Sequence, residues 1–136
     1  MMSLVLLSTN ISSFEVPNIP KLKDLECLAT NVYREARSES FSGQVAVTKV
    51  VLNRMKMKEY PKTACGVVFQ PLQFSWTSNW KEVKYTLDNV NAVVAAYNST
   101  EDFKATHYHV KTIKPSWSKR LKEGVTIGNH TFYLDK

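Results

Sequence analysis

Between residues 21 and 57 the chain reads KLKDLECLATNVYREARSESFSGQVAVTKVVLNRMKM, and its apolar positions recur every three or four residues. Leu25, Leu28, Ala29, Val32 and Ala36 share one face of a helix predicted from residue 22 to about residue 37. The polar run SESFSG interrupts it. Ser42 then suits the N-cap of a second helix from residue 43 to about residue 58. Val45, Ala46, Val47, Val50, Val51, Leu52 and Met55 are spread around much of that second helix, so it is predicted to be the buried central one. The two form a tight helical hairpin whose loop keeps Glu39 near Glu35.

The later segments are shorter. Tyr60-Pro61 ends the second helix, and residues 63–69 predict a single turn of helix before Pro71. Gln73-Phe74-Ser75-Trp76-Thr77-Ser78-Asn79-Trp80 alternates polar and aromatic residues, as a half-buried strand or a groove-lining loop does. Asn79 and Glu82 have capping-box spacing, and Val83, Leu87, Val90, Val94 and Tyr97 predict a third long helix behind them. Residues 105–110 read as a strand, and residues 124–134, with Gly128-Asn129 at the turn, read as a hairpin. Residues 1–20, rich in Ser and Asn and closed by Pro17 and Pro20, read as an irregular arm, and residues 21–136 as one domain. The class predicted is α+β, mainly helical, with a small antiparallel β element near the C-terminus.

One carboxylate breaks the polar pattern. At about 100° per residue, Glu35 lies about 20° from Leu28 and about 60° from Val32, inside the apolar face. A carboxyl group there is partly desolvated, which disfavours its charged form and moves its pKa upward, toward the range of a general acid. The plain alternative is that Glu35 pairs with Arg34, Arg37 or a distant lysine and merely closes the helix.

Composition narrows the partners little. The 136 residues carry a net charge of +6, with 43% hydrophobic and 22% charged residues, which fits one ordinary folded core and excludes a disordered chain. The positive balance favours polyanions: nucleic acid, anionic lipid and acidic wall polymers all qualify. Leu4-Val5-Leu6-Leu7 is too short and lacks the preceding basic residue of an export signal, and no stretch has the length of a membrane span. Cys27 and Cys65 form no CxxC and no multi-bridge framework, so free thiols in a reducing compartment are expected. His107, His109 and His130 show no zinc spacing with them, so no metal and no cofactor are expected. A thiol nucleophile at Cys65 competes with a core role for that residue. Trp76, Trp80 and Trp117 among lysines suit stacking on bases or sugar rings, or plain core packing.

Several blocks decide among these readings together. Val32-Tyr33-Arg34-Glu35-Ala36-Arg37-Ser38-Glu39, Gly43-Gln44-Val45-Ala46-Val47 and Val51-Leu52-Asn53-Arg54 are followed by Gln73-Phe74-Ser75-Trp76 and Ala105-Thr106-His107-Tyr108-His109. Pro115-Ser116-Trp117 and Ile127-Gly128-Asn129-His130-Thr131-Phe132-Tyr133 complete the set. In this order they resemble the cell wall hydrolase family of the spore-cortex-lytic (SleB/CwlJ) type, from about Leu25 to Tyr133.

The resemblance implies a lysozyme-like or lytic-transglycosylase-like domain that cuts the glycan strands of peptidoglycan, with Glu35 as the catalytic acid. Glu39 matches the family's second acid, whose role is to order the loop, bind substrate or assist charge stabilisation. Ser38 stands where the family usually has Gly. Gln73, Phe74, Ser75, Trp76, Tyr108 and His109 then become residues that wall the groove, bind glycan or hold the acid. A single strong acid favours transglycosylation over hydrolysis, which Glu39 keeps open. The expected partner is peptidoglycan, with no nucleic acid and no membrane span, and the expected state is a monomer. The expected setting is a phage-like endolysin, made in the host cytoplasm and acting on the wall, or carried in a virion. The rival from another class is a non-enzymatic basic module that binds glycan or nucleic acid.

Overall fold

The computed structural model describes residues 16–70 and 83–135. In chain order, helix α1 is Leu22–Ala36, α2 is Phe41–Met55, α3 is Ala64–Val68 and α4 is Leu87–Asn98. Strand β1 is Ala105–Val110, β2 is Lys122–Ile127 and β3 is His130–Leu134, with a 3-10 turn at Ser116–Arg120 before β2. The strands form one antiparallel sheet in the order β1-β3-β2. None of the described helices is long and apolar enough to cross a membrane.

Helix α2 joins two halves of the core because it is apolar on more than one side. Val51 packs with Leu28, Ala29 and Val32 of α1, with Ala64, Val67 and Val68 of α3, and with Val93 of α4. Ala46, Val47 and Val50 instead pack with Ala36, Ala105 and Phe132, and so seat the sheet. Each of these valines is fully buried, which stabilises the fold by about 1.5–3 kcal/mol per side chain. The last turn of α2 also ties down the start of β1. Asn53 Nδ2 donates to the carbonyls of Phe103 and Ala105, both at 2.8 Å, and Arg54 Nε donates to the carbonyl of Thr106 at 2.7 Å. Carbonyls next to a strand end would otherwise be buried without donors.

The expected apolar face of α1 is the buried one: Leu28, Ala29, Val32 and Ala36 are inside and Leu25 is half-buried. The predicted single turn at residues 63–69 is α3, capped by the Thr63 hydroxyl, which accepts from the Gly66 N–H. The hairpin also forms as expected, with Ile127 paired to His130 across the two-residue Gly128-Asn129 turn. Gly128 has φ +58°, a conformation glycine adopts at no steric cost.

Three expectations are corrected. The cap of α2 is Ser40, not Ser42: the Ser40 hydroxyl accepts from the Gly43 N–H at 3.2 Å, and the helix ends at Met55. Helix α4 starts after Thr86, whose hydroxyl accepts from the Asn89 N–H while Asn89 Oδ1 accepts from the Thr86 N–H. Its buried residues are Asn89, Ala92, Val93 and Ala96, whereas Leu87 and Tyr97 are exposed and Val83 precedes the helix. The small side chains win that face because α4 lies close against α2, where Asn89 Nδ2 also donates to Gln44 Oε1 at 3.0 Å. Asn79 and Glu82 lie outside the described residues, as does the rest of residues 71–82.

The third correction concerns the cysteines. Cys27 and Cys65 form a disulfide that links α1 to α3, with their Cα atoms 5.3 Å apart. A separation of 38 residues carries no pairing signal; the packing of α3 on α1 brings the thiols together.

Candidate active site

Two acids one helical turn apart in sequence are treated in opposite ways. Glu35, in the last turn of α1, is half-buried, and its Oε1 accepts from the hydroxyl of Tyr108 on β1 at 2.8 Å. Burial pushes its pKa up, against the opposing pull of the Tyr108 hydrogen bond and of the Arg54 cation. The local arginines do not neutralise it. Arg34 and Arg37 are exposed and lie over the Tyr33 ring, and Arg37 donates to the Tyr33 carbonyl.

Arg54 is the buried cation of the site. It is 4% exposed, is anchored to the Thr106 carbonyl and lies over the ring of Tyr60. Burial lowers its pKa, opposed by Tyr60, Tyr108 and Glu35, yet a guanidinium remains charged. Tyr108 is held far above its usual pKa, first by burial and then by the negative charge and hydrogen bond of Glu35. It therefore remains a donor throughout the working pH range.

Glu39, in the α1–α2 loop, is clamped by the hairpin turn. The Asn129 backbone N–H donates to its Oε1 and Asn129 Nδ2 to its Oε2, each at 2.9 Å. His130 Nδ1 is 3.8 Å from Oε1. Burial alone would raise the pKa of Glu39, but the two Asn129 hydrogen bonds, with His130 and Lys111, outweigh it and lower the pKa. His130 is itself shifted down by burial and by His109, with Glu39 opposing. A Cβ added to Gly128 would crowd Glu39 Oε1 and push that carboxylate out of its clamp, while φ itself favours glycine.

Glu35, Ser38, Glu39, Lys111, Asn129 and His130 line one groove of about 310 Å³. The structure thus brings Glu35, Glu39 and Tyr108 together. It places His109 elsewhere: alternation along β1 sends it to the opposite face from Tyr108, where Nε2 is 2.9 Å from the Tyr133 hydroxyl and its ring meets Trp117. His107 lies on that same face against Trp117, with a pKa lowered to about 4 by burial and the Arg54 cation, against the pull of Asp135. Gln73, Phe74, Ser75 and Trp76 lie outside the described residues.

Residue reading missed Arg54, Asn129 and His130 as parts of the site. Nothing local in the sequence distinguishes a buried arginine such as Arg54 from a solvated one at a helix end. Asn129 was read as a turn residue, and the partner of its amide is 90 positions away.

Comparison with known proteins bears on the family and the fold. A Cell Wall Hydrolase family model matches residues 38–133, a segment that begins just after Glu35. The spore cortex-lytic enzyme of Bacillus cereus is 30% identical over 122 residues, which cover 86% of this chain and 46% of that protein. That of Bacillus subtilis (strain 168) is 31% identical over 112 residues, 80% of this chain and 37% of that protein. The chain therefore spans less than half the length of these relatives. Among solved structures, the catalytic domain of the germination-specific lytic transglycosylase SleB from Bacillus anthracis matches with a TM-score of 0.76 at 32% identity, covering 87% of this chain and 99% of that domain. The catalytic domain of the Bacillus cereus SleB protein matches with a TM-score of 0.75 at 31% identity, covering 87% and 94%. The mainly helical domain with its small C-terminal sheet is thus the SleB catalytic fold, and this chain belongs to the Cell Wall Hydrolase family.

Proposed function

We propose that this chain cleaves the glycan strands of peptidoglycan as a lytic transglycosylase, with Glu35 as the proton donor. The observation that carries the reading is the half-buried Glu35 carboxyl, held by the Tyr108 hydroxyl at the edge of a groove with its pKa raised. The kinship with lytic transglycosylase SleB supports the reaction class. Breaking a glycosidic bond requires a proton on the leaving oxygen as the anomeric carbon gains oxocarbenium character. With Oε1 engaged by Tyr108, Oε2 is the oxygen assigned that proton. After transfer, the new carboxylate is stabilised by Tyr108 and the Arg54 cation. It then accepts the proton of the muramic acid 6-hydroxyl as that oxygen attacks the anomeric carbon and closes a 1,6-anhydro ring.

The state of Glu39 supports transglycosylation over hydrolysis. A carboxylate with each oxygen engaged by Asn129 and its pKa lowered is a weak base and a poorly placed nucleophile. Its role in this reading is to fix the loop that follows Glu35. Gln73, Phe74, Ser75 and Trp76 retain the assignment as groove wall and glycan contacts. The chain acts as a monomer on the wall, as a lysin delivered from the host cytoplasm or carried in a virion. The disulfide agrees with a working site outside a reducing compartment.

The test is Glu35→Gln on purified peptidoglycan, with mass spectrometry of the released fragments. Solubilisation should fall by at least about 100-fold, the usual contribution of a general acid. Fragments from the native chain should end in anhydro sugars, lighter by one water than reducing ends. Wild-type rates in the variant reject Glu35 as the acid, and reducing ends reject transglycosylation.

A further inference from the structure

Away from the Glu35 groove, the chain has a second concavity of about 530 Å³ that shares no lining residue with it. Four lysines line it, Lys49, Lys56, Lys62 and Lys104, against two carboxylates, Glu101 and Asp102. Lys49 is the unusual member. It is 9% exposed on the buried central helix α2, yet among the described residues it forms no ion pair. Its ammonium lies over the Phe103 ring, 5.7 Å from the ring centroid. With a ring contact and no carboxylate partner among the described residues, the ammonium keeps N–H donors for an anion. The side chain still lines the open concavity, so a ligand can reach it.

We propose that this concavity is an anion site for phosphate groups, with Lys49 at its floor and Lys56 and Lys104 at its rim. Phosphate is favoured over carboxylate by the donor set. All four cations lining the concavity are lysines, which engage phosphate as point charges, and inorganic phosphate near neutral pH brings more negative charge to them than a single carboxylate does. Asp102 takes up part of the Lys104 charge, at 3.9 Å between exposed side chains, a pairing weak enough for a phosphate to displace. Such groups occur as the free ion or in series along a polyol-phosphate polymer. The inference stands independently of the role of Glu35, because it is read by binding and not by cleavage.

The experiment titrates the native chain with inorganic phosphate and, separately, with soluble poly(glycerol phosphate), following the side-chain methylene NMR signals of the lysines. The expected result is that the Lys49 signals shift before those of Lys119, and that Lys49→Met weakens binding at least tenfold. Shifts with both probes mark a site for the isolated ion, and shifts with the polymer alone mark one that needs neighbouring phosphates. The double variant Lys56→Gln/Lys104→Gln changes only exposed side chains and so retains the fold. It should weaken binding more than Lys119→Gln/Arg120→Gln, which removes the same charge elsewhere. Lys49 signals unmoved by either probe overturn the proposal, as does equal weakening by the two double variants.

Discussion

The Tyr108 hydroxyl donates to Glu35 Oε1 at 2.8 Å, joining a strand residue to a helix residue 73 positions earlier in the chain. That bond favours the charged form of Glu35, whereas burial favours the neutral form and prevails. In Tyr108→Phe the opposing bond is gone, so the Glu35 pKa should rise further. Because the proposed reaction uses protonated Glu35, the alkaline limb of the pH profile for peptidoglycan cleavage should move upward. The maximum rate should fall about tenfold, and stability should drop by about 1 kcal/mol for the lost hydrogen bond. An unchanged alkaline limb would show that Tyr108 does not tune the acid.

Glu35 also leaves a signature in stability. Its folded pKa is raised, so between the unfolded and folded values the native state holds a proton that the unfolded chain has released. Stability therefore declines as pH rises through that window, and the deficit persists at neutral pH. Glu35→Gln should accordingly melt at a higher temperature than wild type at pH 7, with the gap closing toward pH 4. Thermal melts at the two pH values check this, and a variant less stable at pH 7 contradicts it.

The opposite sign holds for Glu39. Its folded pKa is lowered, so its contribution is present above the unfolded pKa and is lost as pH falls through the folded one. Glu39→Gln should cost about 1–2 kcal/mol at pH 7 through weakened bonds to Asn129, and less on acidification. Denaturant midpoints measured from pH 7 downward should converge for the two proteins.

Gly128 and Glu39 should be coupled. Gly128→Ala puts an alanine at φ +58°, which costs about 1–2 kcal/mol, and adds a collision with Glu39 Oε1. In a Glu39→Ala background the collision is absent and only the backbone cost remains. A double-mutant cycle should therefore show a smaller loss for Gly128→Ala there, whereas additive losses would mean that the turn does not rest on Glu39.

Reducing the Cys27–Cys65 bond frees a loop of 38 residues, whose closure is worth about 4 kcal/mol in the chain-entropy account. Melts with and without reductant should differ accordingly, and a thiol titration of the unfolded, unreduced protein should find no free cysteine.

Local chemistry alone determined much of this protein. The helical period through Leu28, Val32 and Ala36, the Thr63-led turn and the Gly128-Asn129 hairpin each depend on neighbours a few residues away, so the chain displays them directly. The same period put Glu35 on an apolar face, which marked it as a candidate acid and left its pairing with an arginine or lysine open. The distant partners belonged to tertiary structure. Pairing of Cys27 with Cys65, the clamp of Asn129 on Glu39, the turn of His109 away from the groove and the burial of Arg54 and Lys49 arise from packing between elements far apart in sequence. Periodicity tells which way a side chain leans on its own helix or strand; what it meets there is decided by the element that packs against it.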